Sequence, residues 1–178
     1  MISQTISVIL PVRNVADCLK LQLANLEVAL PKLTTAAFEV VIVDDASDDA
    51  TLIVLDDMRL RFPFLKVALH NTQQGFEVAK ATGLMKAAGE MLLIHRGSAS
   101  LDLADLQALC NLFQESDLVA ARLTREGVGG IEEGGLELIH RETLHRAAIS
   151  PIGSYKLVGE TIHSIERFRG QFLSKNAA

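Results

Sequence analysis

The chain is 178 residues long, 49% apolar and 22% charged, with a formal net charge of −5. That length holds one ordinary domain with a real core, and the composition is that of a globular chain rather than a disordered or membrane-embedded one. A net negative chain without a basic stripe does not track a polyanion, so nucleic acid is not an expected partner and a small anion would need locally placed donors.

Thr5 to Pro11 is a β-branched, apolar run of the kind buried on both faces of a parallel sheet, and predicts the first strand. Ala16, Leu19, Leu23, Leu26 and Leu30 then step by three and four, a helix with one buried stripe that Pro31 should end. Phe38 to Val43 is a second strand, and Asp44-Asp45-Ala46-Ser47 offers caps for a helix carrying Leu52, Leu55 and Met58. Leu65 to Leu69 predicts a strand, Val78 to Ala88 a helix, and Met91 to Ile94 a fourth strand. Gly83 inside that helix costs about 1 kcal/mol against alanine, a sign of close packing. Leu103, Leu106, Cys110 and Phe113 mark a further helix, and Leu118 to Leu123 a strand. Strand and helix alternate throughout, which implies an α/β fold with a Rossmann-like, mostly parallel sheet covered by helices on both faces.

Near Gly127 the pattern breaks, because five of the twelve glycines fall between Gly127 and Gly135. Residues 1–126 read as a nucleotide-binding half and 127–178 as a reduced acceptor-side half of one domain. Leu136 to His140 is expected as a strand, Glu142 to Ala148 as a short helix, and Gly159 to Phe172 as a final helix. Cys18 and Cys110 lack any paired spacing and read as buried thiols. The five histidines do not cluster, so no histidine metal site is expected. Met1-Ile2-Ser3-Gln4 does not open a signal peptide, and no run approaches the ~20 apolar residues of a membrane span, which makes the cytoplasm the expected compartment.

In open parallel sheets ligands bind beyond the carboxyl ends of the strands. The residues there are Pro11 to Asn14, Asp44 to Asp48, His70 to Gly75 and His95 to Ser100. The carboxylates Asp44, Asp45, Asp48 and Asp49 suit either the acceptor needs of a base and ribose or the capping of a helix N-terminus, where negative charge contributes ~0.3 to 1 kcal/mol.

Three segments together resemble family 2 glycosyltransferases of the GT-A fold. They are Val8-Ile9-Leu10-Pro11-Val12-Arg13-Asn14, the run Val41 to Thr51 with its Asp44-Asp45-Ala46-Ser47-Asp48 core, and the spaced set Asn71, Gly75, Ala79, Lys80, Gly83, Ala88, Gly89, Glu90. The resemblance spans Ser7 to about Ser100, with a fainter continuation to Arg169. It implies a nucleotide-sugar donor of UDP type, held by Pro11, Arg13, Asn14, Asp44, Asp45 and Lys80, with Asp45 or Asp44 accepting from uracil. The acceptor is not specified.

The departures carry as much as the matches. Where the resemblance places an Asp-x-Asp pair that holds Mg²⁺ or Mn²⁺, this chain has Arg96-Gly97-Ser98, and residues 95–100 contain no carboxylate. The expectation is therefore no cofactor, with His95, Arg96 and Ser98 taking the diphosphate. Arg13 replaces an aromatic that would stack on the base. Thr161 stands where the family carries an aspartate base, leaving Glu160 as the catalytic candidate. Two functions follow: a transferase-like domain that binds its donor without metal or with impaired catalysis, and a noncatalytic pseudo-glycosyltransferase acting as a binding or interaction module. A homodimer would serve the second.

Overall fold

The computed structural model describes residues 1–96, 101, 103–112, 118–126, 132–142, 155–162 and 165–172. Strands β1 (Ile6–Val12), β2 (Phe38–Asp44), β3 (Leu65–Leu69) and β4 (Met91–Arg96) run parallel in the order β3-β2-β1-β4. Helices α1 (Ala16–Leu33), α2 (Thr51–Arg61) and α3 (Phe76–Lys86) connect them, and α4 (Leu103–Leu112) follows β4. The remaining strands, β5 (Leu118–Glu126), β6 (Glu132–His140), β7 (Tyr155–Ile162) and β8 (Ile165–Phe172), complete an eight-stranded sheet in the order β3-β2-β1-β4-β6-β5-β8-β7.

The uninterrupted apolar runs of β1, β2 and β4 follow from burial on both faces. Ile6, Val8 and Leu10 of β1 pack with Leu19, Leu23 and Leu26 of α1, Leu55 and Met58 of α2, and Leu106 and Leu109 of α4. Ile9, between them in sequence, turns to the opposite face and packs with Val41, Val43, Leu92, Ile94 and Ala79 under α3. The expected Rossmann-like architecture is therefore present in the first half. In the second half all pairings from β4 onward are antiparallel.

Some expectations are corrected. Pro31 does not end α1, which continues two residues to Leu33. Proline in a final turn removes only one ladder donor, and the Thr34 N–H closes the end on Leu30 O at 3.2 Å. The helix expected over Gly159 to Phe172 is instead the antiparallel pair β7 and β8. Ile165, Phe168 and Phe172 are spaced as in a helix. Gly159 and Gly170 within the segment and the β-branched Val158, Thr161 and Ile162 favour strands. Of the helix expected over 142–148, only Glu142 lies within the described residues, where Arg141 and Glu142 are helical. Cys110 is buried, which pushes its thiol up to about 12, whereas Cys18 is only half-buried.

At the amino ends of the strands a polar clamp fixes the α3–β4 connection. The fully buried Ser7 donates its hydroxyl to Glu39 Oε1 at 2.7 Å and accepts the Gly89 N–H at 2.7 Å. Glu39 also accepts from the Ala88 N–H at 2.6 Å and pairs with Lys66. Arg141, just after β6, donates to the carbonyls of Gly89 and Ala87 at 2.6 and 2.7 Å. Thr5 and Glu90 exchange backbone-to-side-chain bonds at 3.0 Å in both directions. Gly89 and Glu90, two of the residues that carry the family resemblance, thus belong to a structural clamp at the end opposite the strand carboxyl termini.

A Cβ on Gly89 would lie 2.6 Å from the Ser7 backbone nitrogen and 2.8 Å from the Ile6 carbonyl carbon, neither of which can yield. Gly89→Ala should therefore destabilise the protein by about 3 kcal/mol, the upper end of the overpacking range. Gly83→Ala should cost less. Its Cβ meets the Ile9 Cγ2 methyl rather than backbone, and alanine returns about 1 kcal/mol of helix propensity. Urea melts of the two variants check the order. Burial raises the Glu39 carboxyl, but Lys66, the Ala88 N–H and Ser7 outweigh it and hold the folded value below the ordinary one near 4.5. Glu39 then contributes stability that is present above about pH 4.5 and is lost as pH falls through the folded value. The urea midpoint should drop below that pH, with a shallower drop in Glu39→Gln.

Candidate functional site

The strand order reverses direction at β1 and β4. From β1 the chain steps outward through β2 to β3 on one side, then α3 carries it across the other face to β4. A doubly wound sheet opens a crevice at that switch point, beyond the carboxyl ends of the strands. Here it is a cavity of about 250 Å³. Leu10, Val12, Val15 and Phe76 give it apolar walls, Pro11 and Arg13 line it at the end of β1, and Gln22 of α1 and His95 of β4 add polar groups.

The loops around the crevice are held by the acidic segment. Asp48 accepts from Asn14 Nδ2 at 2.8 Å, its own N–H donates to Asn14 Oδ1 at 3.0 Å, and its other oxygen lies 3.6 Å from Arg13. Asp49 accepts from the N–H groups of Thr51 at 2.8 Å and Ala16 at 3.2 Å, so one carboxylate serves the starts of both α2 and α1. Asp44 accepts from the Ser47 N–H at 3.1 Å and from its hydroxyl, and Ser47 Oγ accepts the Asn14 N–H at 2.9 Å. Two non-glycine residues take left-handed backbone in these turns, Asn14 at φ 54° and Ala46 at φ 58°. Asparagine tolerates that region and alanine does not, so the network over-determines the turn at Ala46.

Asp45 is buried like Asp44, and its partners come from the β3–α3 connection. Its Oδ1 takes His70 Nδ1 at 2.7 Å and the Gln74 N–H at 2.8 Å, and its Oδ2 takes the Gly75 N–H at 2.7 Å. Burial pushes the carboxyl up, but these donors and the neighbouring His70 outweigh it and hold Asp45 below the usual carboxylate range. Because the carboxylate only accepts, His70 presents Nδ1–H to it, and Nε2 faces Thr82 Oγ1 at 3.0 Å. The carboxylate expected to accept from a base is thus occupied in pinning the β3–α3 loop to β2.

Pro11, Arg13 and His95 line the crevice, whereas Asn14, Asp44 and Asp45 belong to the loop network beside it and are not among its lining residues. Lys80 on α3 lies 2.9 Å from Glu77 and 3.5 Å from Glu137 of β6, which also pairs with Arg122 at 3.1 Å, and its ammonium sits 5.6 Å from the Phe76 ring centroid. Arg96 is the last residue of β4. Ser98 lies outside the described residues. Glu160 is on the edge strand β7, opposite Arg167 of β8, with β6, β5 and β8 between β7 and β4. The sheet therefore does not bring Glu160 to the switch point by strand adjacency. Phe76 and Gln22 were not singled out for the site from sequence, whereas His70 was placed beyond the end of β3 without a role. Gln22 had a signal, a polar residue on the buried stripe of α1.

A divalent metal, which the resemblance implies, finds no fitting donor set among the described residues. The four loop carboxylates are committed to N–H, hydroxyl and histidine donors, residues 95–100 supply no carboxylate, and no group of three His, Cys, Asp or Glu among the described residues is arranged to hold an ion. Asp45→Asn would keep one acceptor oxygen and set an amide NH₂ in place of the other, against either the Gly75 N–H or the Gln74 N–H and His70. It should cost about 2 to 3 kcal/mol, the range for a hydrogen-bonded buried charge, read as a lower urea midpoint.

Comparison with curated proteins gives no match. Among solved structures, the mannosyltransferase PcManGT from Pyrobaculum calidifontis, determined with GDP-Man and Mn²⁺, is 22% identical with a TM-score of 0.62, covering 84% of this chain and 48% of that one. Mannosyl-3-phosphoglycerate synthase from Rubrobacter xylanophilus is 20% identical with a TM-score of 0.53, covering 66% and 39%. The chain spans less than half the length of these two structures, and at such identities they speak for a shared GT-A fold. The family model described as glycosyl transferase family 2 matches residues 7–146, from β1 to beyond the end of β6. With most of its length under that match, the chain belongs to glycosyl transferase family 2.

Proposed function

We propose that this domain binds a nucleotide-diphospho-sugar of UDP type across the carboxyl ends of β1, β2 and β4 without a divalent metal. The observation that carries this reading is the placement of an arginine at each of two adjacent strand ends. Arg13 follows β1, Arg96 ends β4, and the two strands are hydrogen-bonded neighbours. Two carboxylates at the end of β4 would gather a cation there. Arginine at the same point, with no carboxylate in residues 95–100, reverses the sign of the local charge. A unit pair at 4 Å is worth about 4 kcal/mol at an effective dielectric near 20, so the reversal favours phosphate and disfavours a metal ion. Guanidinium groups bind phosphate oxygens through paired, charge-assisted hydrogen bonds and need no cation between.

A second reading is a noncatalytic binding module. Thr161 in place of an acidic base, and the position of Glu160 on the far edge strand, favour it. Both readings require donor binding, and turnover separates them. Calorimetric titration with UDP and UDP-sugars should give the same affinity with and without Mn²⁺, and Arg96→Ala should weaken UDP binding more than tenfold. An affinity unchanged in Arg96→Ala, or one that appears only with Mn²⁺, would sink the arginine reading. Hydrolysis or transfer of the bound sugar would then decide for the enzyme.

A further inference from the structure

We propose that the outer face of α1 is an interface on which two copies of this chain pair, helix against helix and antiparallel. This face is separate from the donor crevice, which takes its α1 wall from Val15 and Gln22, and Gln22 lies on the buried side of the helix.

Helix α1 carries two apolar stripes. The inner one, with Leu19, Leu23, Leu26, Leu30 and Leu33, is buried against the sheet and its neighbouring helices. A second, Leu21, Ala24, Val28 and Pro31, steps by three, four and three along the opposite side, and all four residues are exposed, Leu21 at 64% and Val28 at 60%. A surface helix ordinarily turns a polar face outward, and one that is apolar on both sides calls for cover on both. Alternate steps of three and four make the seam of a helix pair, and the small Ala24 near its middle lets a second helix approach closely. Leu60 of α2, 89% exposed, extends the same surface. Asp49 bonds the N–H groups of both Ala16 and Thr51, so α1 and α2 start level, and Leu60 stands as far along α2 as Asn25 does along α1.

The charges say what covers the seam. The charged residues of α1 are Asp17, Lys20, Glu27 and Lys32, all exposed, and they alternate in sign. Read backwards the order is basic, acidic, basic, acidic, so in an antiparallel pair every charge meets its opposite. Setting Leu21 against Val28 of the other copy puts Asp17 against Lys32 in the same register and Lys20 within a turn of Glu27, and the two-fold relation makes each contact twice. A parallel pair would set each charge against its like. Asp17, Glu27 and Lys32 have no ion pair among the described residues, and Lys20 lies 3.6 Å from Asp57 of α2 with both side chains more than half exposed. Exposed pairs of this kind add little affinity and select orientation, while the apolar seam supplies the attraction. One 18-residue helix with Leu60 beside it is a small patch, so the dimer is a weak one that forms and dissociates with concentration.

The test is sedimentation equilibrium of the whole chain over a concentration series, which should show a reversible step from the 19.3 kDa monomer to twice that mass. The double variant Leu21→Gln/Val28→Gln changes exposed positions only, should melt like wild type, and should raise the dimer dissociation constant tenfold or more. Asp17→Lys should also weaken the dimer, and adding Lys32→Asp should restore it, because the swap re-forms each pair with the signs exchanged. Both substitutions oppose the helix dipole, so a mere loss of helix stability would grow in the double variant, where the dimer is expected to return. A chain that stays monomeric at every concentration overturns the proposal. So does a dimer unmoved by Leu21→Gln/Val28→Gln, which would place the contact on another surface, and so does a charge swap that dissociates the dimer further than Asp17→Lys alone.

Discussion

The carboxylate of Asp45 is the tie on which the upper face of the domain depends. It sits at the end of β2, nearly out of water, and gathers donors from His70 after β3 and from the first turn of the loop into α3. Without it, the connection that carries the chain from the β2–β3 side of the sheet to β4 loses three of the bonds that anchor its start. A buried carboxylate survives only when its lone pairs are filled, and three N–H donors at 2.7 to 2.8 Å fill them. Phe76 immediately follows Gly75, so the same tie sets one wall of the crevice.

The other end of that connection is tied just as firmly. Ser7, Glu39 and Arg141 hold residues 87–89 where α3 returns to β4, close enough that Gly89 has no room for a side chain. Helix α3 is thus fixed at both ends and pressed along its middle onto Ile9 through Gly83. The α3 side of the crevice is therefore tied at both ends, and a wall so held can receive a ligand group without first paying to order itself.

The buried strands of the first half were legible because both faces of β1, β2 and β4 are covered, which leaves an apolar run with no competing period. The second half was less so. Ile165, Phe168 and Phe172 satisfy a helical spacing by coincidence in a short segment, and only strand partners distant in sequence decide the matter. The acidic loop was legible as important and illegible as to use, since capping and ligand binding ask for the same residue types. Only the contacts distinguish them. Asp49 reaches two helix starts 35 residues apart in sequence, Ala16 and Thr51, and Asp48 reaches back to Asn14, pairings that no local pattern encodes. Gln22 was hidden by the rule that made α1 easy to find, because a stripe is recognised by its apolar members and the polar exception is passed over.

Of the cations near the crevice, availability rather than number decides which can meet a phosphate. Lys80 stands between Glu77 and Glu137, with Glu137 shared by Arg122, so its charge is already offset in a partly enclosed network. Drawing it away would leave Glu137, which is buried, with one partner fewer, and that cost rises as the surroundings dry. Arg13 has one carboxylate neighbour among the described residues, Asp48, at 3.6 Å, and both side chains are open to solvent. Such a pair is worth about 0 to 1 kcal/mol and is readily exchanged for a better partner. Asp48 keeps its place through Asn14 whether or not Arg13 stays. The geometry therefore frees an arginine at the end of β1 while binding the lysine on α3, so a phosphate at the crevice mouth would be met first by Arg13.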